Sequence, residues 1–437
     1  MEEDRYGLPL STGSSQAASA YRDGLDLLLS FWTGAEQAFE RAITGDPEFA
    51  LAYAARARIH AIYQERDAAL RLIATARELA ARAGTERERS HIATLALAIE
   101  GRGGEALSSA LAHLACWPRD AVIMSLPLGA FGLLAFSGRA DHDRARRDLC
   151  EHYADAYGDD WWFLSNRGWS LTEDGELARG RAITERSFAL RRDNAYAVHA
   201  LLHAMFEDGS VREADALVDG WIGNYQRAGM LHGHIRWHQA LGALDQGNAA
   251  MALAVYTDVL RPSMMSAPPL NTISDCASLL WRIALEGHPV SSDLWTDIAG
   301  YAKQHFPASS LAFVEMHLAL IAAATHDMPT LAGRLAAIEP RLADGKLAAG
   351  QIVPRVLRAL RAFADADYQR CVDQLTPVLA DVPRIGGSHA QREVIEDTYI
   401  VALIRNGALA QACTVLDARL HRRPSARDLR WRAAAKA

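Results

Sequence analysis

Residues 35–47 read AEQAFERAITGDP, with a small residue at Ala35, a bulky one at Phe39, a small one at Ala42 and a proline at Pro47. Positions four and then three residues apart lie on a single helix face. Small side chains there let a second helix come close, and the bulky one fills the gap. Proline then stops the helix, because it has no N–H to donate. The spacing starts again 34 residues later with Ala69, Ile73 and Ala76, although Ala81 replaces the proline. It returns complete at Cys371, Leu375, Val378 and Pro383, with an arginine substituted at Ala412, Leu416, Arg419 and Pro424, and in part at Ala252, Tyr256 and Val259.

That period is the period of tetratricopeptide repeats, and it predicts an all-α fold. The expected architecture is an α-α superhelix, or solenoid, of degenerate tetratricopeptide-like helix pairs. A lone pair cannot bury its apolar stripe, so pairs must stack. The length of 437 residues suits such an array better than one core, since single cores stop growing at roughly 250–300 residues. Ala and Leu dominate, whereas Val, Ile and Thr are too sparse for many strands. Between the clear copies, FLSNRGWSLTEDG, NAYAVHALLHAMFEDG, HIRWHQALGALDQG and PRVLRALRAFADAD keep helical periodicity and end in turn residues. Breaks are expected at 82–85, 101–104, 158–160, 261–269 and 384–388. Residues 1–20, rich in Ser and Gly, are expected to form an N-terminal arm. Residues 21–437 form the superhelical domain, able to close on itself around a central pocket.

A net charge of −7 and the lack of a basic run with interleaved aromatics argue against nucleic acid. Cys116, Cys150, Cys276, Cys371 and Cys413 are odd in number and form no CxxC pair, so neither a disulfide framework nor a cysteine zinc site is expected. The acidic start MEEDRYGLPL does not read as a secretory signal, and no stretch approaches the roughly 20 apolar residues of a membrane span. A soluble, cytoplasmic protein is the expectation, without membrane or nucleic-acid partners.

Several unusual segments stand out from the repeats: Trp117-Pro-Arg-Asp120, His199 within AYAVHALLHAMFEDG, HIRWHQAL with His234, Trp237 and His238, Asp275 with SLLWR, and RIGGSHAQR from Arg384 to Arg392. In these segments and their order the chain resembles the tetratricopeptide repeat protein 38 family, over roughly residues 10 to 425. The resemblance implies an α-superhelical fold and a cytoplasmic setting, and it brings no catalytic assignment. It carries over onto His199, His234, Trp237, His238, Asp275, Arg282, Arg384, Gly386, Gly387, Ser388, Gln391 and Arg392.

Two constellations could carry chemistry in the middle of the chain. His199, His203 and Glu207 recur every four residues and share one stripe of a helix; His234 and His238 form a second such pair. On neighbouring helices they could converge as imidazoles with a carboxylate, suited to a divalent metal or to acid–base work. The plainer alternative is polar packing, since buried polar groups persist when they satisfy one another. Histidines four apart are a weak ligand signal, and no HExxH motif is present.

In the third constellation, Arg384 to Arg392, Ser388 is an N-cap and Gln391 stands at the capping-box position, so Gly386 and Gly387 should lead into a helix N-terminus. Free N–H groups flanked by Arg384, His389 and Arg392 would cradle a carboxylate or phosphate. The alternative is a well-capped turn. Asp275 is expected to cap the helix ending in Trp281 and Arg282, or to orient the histidines, and Arg282 to add an anion contact. His317 in FVEMHLAL is a further liner or a satisfied core histidine, and Trp161, Trp162 and Trp169 read as core.

The leading expectation is a small anionic molecule bound inside the superhelix. His199, His203, Glu207, His234, His238 and Asp275 would act catalytically. Trp237, Arg282, Arg384, Gly386, Gly387, Ser388, His389 and Arg392 would bind the ligand. The chemistry would be acid–base or metal-assisted hydrolysis, elimination or isomerisation. No cofactor is required; a divalent metal, if present, would use His199, His203, His234 and His238. The alternative is a scaffold holding a peptide or protein partner in its concave groove, as a monomer or homodimer.

Overall fold

The computed structural model describes residues 2–436. Among the described residues there are 23 α-helices and no strand, only one isolated bridge between Glu3 and Pro9. The chain is an all-α superhelix of tetratricopeptide-like helix pairs. No helix is long and apolar enough to cross a membrane among the described residues.

The repeat spacing forms the helices it predicts. The Ala35–Gly45 helix turns Ala35, Phe39 and Ala42 inward, and Phe39 meets Tyr21 across the pair at 5.7 Å between ring centres. The Arg66–Ala83 helix buries Ala69, Ile73 and Ala76 in the same way. At the Cys371 copy the Tyr368–Leu375 helix tightens into a 3-10 segment, Thr376–Ile385, which contains Pro383. At the last copy Arg419 takes a core position, because the following Ala426–Ala434 helix presents Asp428 to it. Its guanidinium is buried against Asp428, Asp397 and Glu393 at 2.8–3.0 Å. Arg427 and Arg282 bind the same Asp397, so three arginines and three carboxylates meet in the interior.

The N-terminal arm is shorter than the expected 1–20, because Ser14 already caps a helix that runs over Ser15–Leu29. Tyr6 and Leu10 are buried among the first helices, and Arg5 ties the segment to Asp26 and Asp160. Of the expected breaks, only 101–104 is displaced: Gly103 and Gly104 open the Gly103–Cys116 helix.

The superhelix folds back on itself. Ala195 N–H donates to Ser30 O at 3.0 Å, and the Tyr225 hydroxyl donates to Phe31 O at 2.6 Å. Near the other end, Gly387 N–H donates to Ala130 O at 3.2 Å, and Arg384 donates to Gly138 O at 3.0 Å. These contacts join turns of the coil more than 160 residues apart in sequence. They bring the helices Trp161–Glu173, Ala195–Asp208, His232–Asp245, Pro269–Leu285 and His389–Arg405 around a common interior. The first of these crosses its partner, Leu177–Leu190, at Gly168 and Gly180. A Cβ on Gly180 would lie 2.7 Å from Gly168 O and 2.5 Å from the Thr172 hydroxyl, so only glycine permits this approach. That crossing holds Glu173, at the end of its helix, in the interior.

Candidate functional site

The four histidines meet. Asn194 caps the Ala195–Asp208 helix by accepting from Ala197 N–H, which sets His199 and His203 on its inner face. The His232–Asp245 helix packs alongside and presents His234 and His238. Ring centres are 4.6 Å apart for His199–His203 and His203–His238, 4.8 Å for His199–His234 and 5.1 Å for His234–His238. One ring nitrogen from each of the four lies within 4.8 Å of the others. All four side chains are at most 6% exposed, so bulk water is not their partner.

Two of the rings are fixed from behind. Glu173 accepts from His203 Nδ1 at 2.9 Å, and both Asp275 oxygens lie 2.9 Å from His234 Nδ1. These bonds direct the Nε2 atoms of His203 and His234 away from the carboxylates. His203 Nε2 and His199 Nε2 stand 2.9 Å apart, while His199 Nδ1 and both nitrogens of His238 have no hydrogen-bond partner. Burial, and then the neighbouring imidazoles, press His199 and His238 well below the ordinary imidazole value, so both are neutral with lone pairs available. An unpartnered buried polar group costs roughly 1–3 kcal/mol. Neutral imidazoles backed by carboxylates are also the donor set that a divalent transition metal prefers.

The other sequence candidates fall in different places. Glu207 is buried but turns away from the histidines, 3.6 Å from His389 Nδ1; the carboxylate at the cluster is Glu173 instead. Asp275 does not cap its helix. Pro269 opens that helix, leaving Asp275 in its second turn, where it faces His234. Trp237 lies behind His234, stacked at 5.1 Å, in the core rather than on a ligand surface. Arg282 is committed to Asp397 at 3.1 Å and Ala390 O at 2.7 Å and does not reach the cluster. His317 is fully buried and bonds Phe313 O through Nδ1 at 2.7 Å.

The Arg384–Arg392 element forms the predicted capping box, but its donors do not face an open cradle. His389 N–H donates to Glu173 at 2.8 Å, and Gly387 N–H to Ala130 O. Arg392 binds Asp143 at 2.8 Å, and Arg384 binds Asp381 at 2.8 Å. Ser388 and Gln391 exchange the two capping-box bonds, Ser388 N–H to Gln391 Oε1 and Gln391 N–H to Ser388 Oγ, which leaves Gln391 Nε2 without a partner. The anion at this helix N-terminus is therefore the protein's own Glu173, which arrives from 216 residues away. Gly386 and Gly387 both have positive φ, and a Cβ on either would strike Phe136 or Phe313 at 2.7 or 2.4 Å, so the glycines serve the turn and its packing. Burial opposes ionisation of Glu173, but His389, the bond from His203 and Arg392 outweigh it and hold its carboxyl below the usual range. One carboxylate thus joins the histidine cluster to the C-terminal capping turn.

Beside the cluster lies a cavity of about 340 Å³ whose wall includes His199, His234, Tyr196, Asn271, Gln391 and Arg58 among mostly apolar residues such as Leu95, Leu128 and Phe131. His389 and Arg392 line a separate groove of about 210 Å³ with Pro383, Glu393, Glu396 and Arg422. Of the C-terminal element only Gln391 reaches the cavity beside the histidines, while His389 and Arg392 face the other groove and are linked to the histidines through Glu173. Glu173 and Arg58 were missed from the sequence. A signal existed for both: Glu173 continues the buried stripe of Trp162 and Trp169, and Arg58 that of Leu51 and Ala55. A charge on such a stripe is out of place unless something meets it.

Two other clusters have metal-ligand geometry. In His91, His113 and Asp120, Arg87 already binds the Asp120 carboxylate at 2.9 Å. In Asp143, Glu173 and His389, Arg392 binds Asp143 at 2.8 Å, and Arg146 binds it too. A guanidinium in each makes it poor for a second cation.

No protein-family model matches the chain. The structure of yeast Tom70 is similar over 96% of this chain and 95% of that one, at 13% identity and a TM-score of 0.34. A structure of Naa15/Naa10 bound to HypK-THB is similar over 93% of this chain and 63% of that one, at 12% identity and a TM-score of 0.25. At such scores the paths of the chains diverge, and neither likeness carries an argument about site or function.

Proposed function

We propose that the four-histidine cluster binds a divalent transition-metal ion and that the adjoining cavity holds the molecule on which the ion acts. The observation that carries this reading is the convergence of His199, His203, His234 and His238, with one ring nitrogen from each within 4.8 Å of the others and with His199 Nδ1 and both nitrogens of His238 lacking a hydrogen-bond partner. Repeat packing does not require it. A bound ion would take one nitrogen from each ring, and Glu173 and Asp275 would orient His203 and His234. Such an ion would supply Lewis acidity toward a carbonyl or a bound water, which suits hydrolysis, elimination or isomerisation. His199 and His234 are the two cluster members on the cavity wall. We also propose membership of the tetratricopeptide repeat protein 38 family and a cytoplasmic location. The motif positions His199, His234, Trp237, His238 and Asp275 lying together support the first, and five free cysteines the second.

The test is metal stoichiometry after loading the full chain with Zn²⁺ or Co²⁺ and desalting. One ion per chain is expected, lost in His238→Ala and His203→Ala. No retained ion in the wild type, or retention unchanged in both variants, defeats the reading.

A second reading is a protein-binding scaffold. Stacked helix pairs build extended concave surfaces of the kind that repeat proteins use for partners, and the groove edged by Pro383, Glu393, Glu396 and Arg422 would be part of the docking surface in that reading. A partner whose binding is lost in Arg422→Glu but kept in His238→Ala would establish it.

A further inference from the structure

The cavity beside the histidines carries more polar groups than its apolar walls need. Arg58 lies on its wall in the Ala50–Ile62 helix, and its one hydrogen bond among the described residues runs from Nη1 to Val122 O at 2.9 Å. Its Nε is buried without a partner, and among the described residues no carboxylate forms an ion pair with it. Arg58 as a whole is half-buried, and the more deeply buried arginines around it each have such a partner: Arg87 has Asp120, Arg392 has Asp143 and Arg282 has Asp397. Burial without a counter-charge lowers the Arg58 guanidinium to about 10, still protonated at neutral pH. Three further orphans face the same space: Tyr196 Oη, His199 Nδ1 and Gln391 Nε2, on side chains at most 6% exposed. Tyr196 and His199 come from one helix, and Gln391 and Arg58 from two others.

Three of the four groups can donate, one is a fixed cation, and no acid is among the lining residues. Such a set recognises an anionic oxygen group. Most of the remaining wall, including Ile62, Leu95, Ile99, Leu128, Phe131 and Leu133, is hydrocarbon, with Ser125, His234 and Asn271 as its other polar side chains. A ligand matching both parts has an apolar body and one carboxylate. A free phosphate or a small polar acid would leave the hydrocarbon wall facing water. At about 340 Å³ the space stands at the lower end of small-molecule sites, which run from roughly 300 to 1,000 Å³.

We infer that this cavity binds a compact hydrophobic carboxylate, an aliphatic or arylalkyl acid, with its carboxylate on Arg58 and its body against the Leu95, Leu128 and Phe131 wall. The inference rests on the cavity being the ligand site of the proposed function, but it does not require the metal. The Arg58–carboxylate pair would be formed by the ligand, as Asp143 and Asp397 form it for Arg392 and Arg282.

The experiment is calorimetric titration of the full chain with octanoate, octanamide and inorganic phosphate, on wild type, Arg58→Met and His238→Ala. Octanoate should bind wild type, with octanamide and phosphate at least about tenfold weaker. A charge-assisted bond is worth roughly 1.5–3 kcal/mol, which corresponds to that factor or more. Arg58→Met should lose octanoate binding by a similar factor while unfolding at the same or a higher temperature, because it removes an unpaired buried charge. Equal affinities for octanoate and octanamide, no octanoate binding at all, or octanoate binding unchanged in Arg58→Met would overturn the inference. So would Arg58→Met unfolding at a markedly lower temperature, since that would make Arg58 structural through Val122. Octanoate binding that persists in His238→Ala, with no metal retained by wild type, would keep this inference and defeat the metal reading; a retained metal with no preference for octanoate would do the reverse.

Discussion

Asp275→Asn separates a tuned metal site from polar packing. Asp275 is fully buried, and its carboxylate sits with both oxygens 2.9 Å from His234 Nδ1; its other contact is a 3.4 Å approach by the Ser274 hydroxyl. Asparagine keeps the shape, and its amide oxygen still accepts from Nδ1, so His234 keeps its tautomer. What disappears is the negative charge behind the ring, which raises the basicity of Nε2 toward a cation. Losing such a partner weakens metal binding roughly 10- to 100-fold, equivalent to about 1.4–2.7 kcal/mol. In metal-free protein the same change removes a buried charge with no guanidinium to neutralise it, so stability should hold or rise. The assay is competition for Zn²⁺ against a chromophoric chelator, with urea unfolding of the metal-free protein in parallel. Zn²⁺ affinity within twofold of wild type, with metal-free stability lowered, would refute the argument and make Asp275 a packing residue.

Asp397→Asn leaves Arg282, Arg419 and Arg427 under-compensated in the interior, and urea unfolding should show a loss of roughly 3–5 kcal/mol. Asp417→Asn, which breaks an exposed pair with Arg432, should change stability by less than about 1 kcal/mol in the same assay. Gly180→Ala forces a Cβ against Gly168 O and Thr172 and should cost roughly 1–3 kcal/mol of stability; thermal unfolding comparable to wild type would mean the two helices separate freely. Burial lowers His317 from its ordinary value of 6.5 to about 4. The unfolded chain therefore takes up a proton below pH 6.5 that the folded chain refuses until about 4. Stability from this group is complete above that window and is lost as pH falls through it, by up to about 3 kcal/mol. His317→Gln should flatten the decline in urea stability between pH 7 and 4.5 by roughly 2–3 kcal/mol; an unchanged slope would show that His317 does not titrate as described.

The superhelix was legible in the sequence because its rule is local. Ala35, Phe39 and Ala42 lie within two turns of one helix, and each copy of the spacing carries its own instruction to pack against the next helix. The histidine pairs were legible for the same reason, since His199 and His203, like His234 and His238, need only their own helix to share a face. Which partners meet them is a matter of winding. Glu173 reaches His203 across 30 residues and the His389 N–H across 216, and it fills the helix N-terminus that the RIGGSHAQR segment taken alone leaves open for an outside anion. Asp143 does the same to Arg392 across 249 residues. Hydrogen-bonding capacity is written in residue types, but whether a donor is spent on the protein or left for a ligand depends on what the coil brings beside it. Arg58, which meets no acid among the described residues, could be told from Arg392, which does, only after the turns had closed.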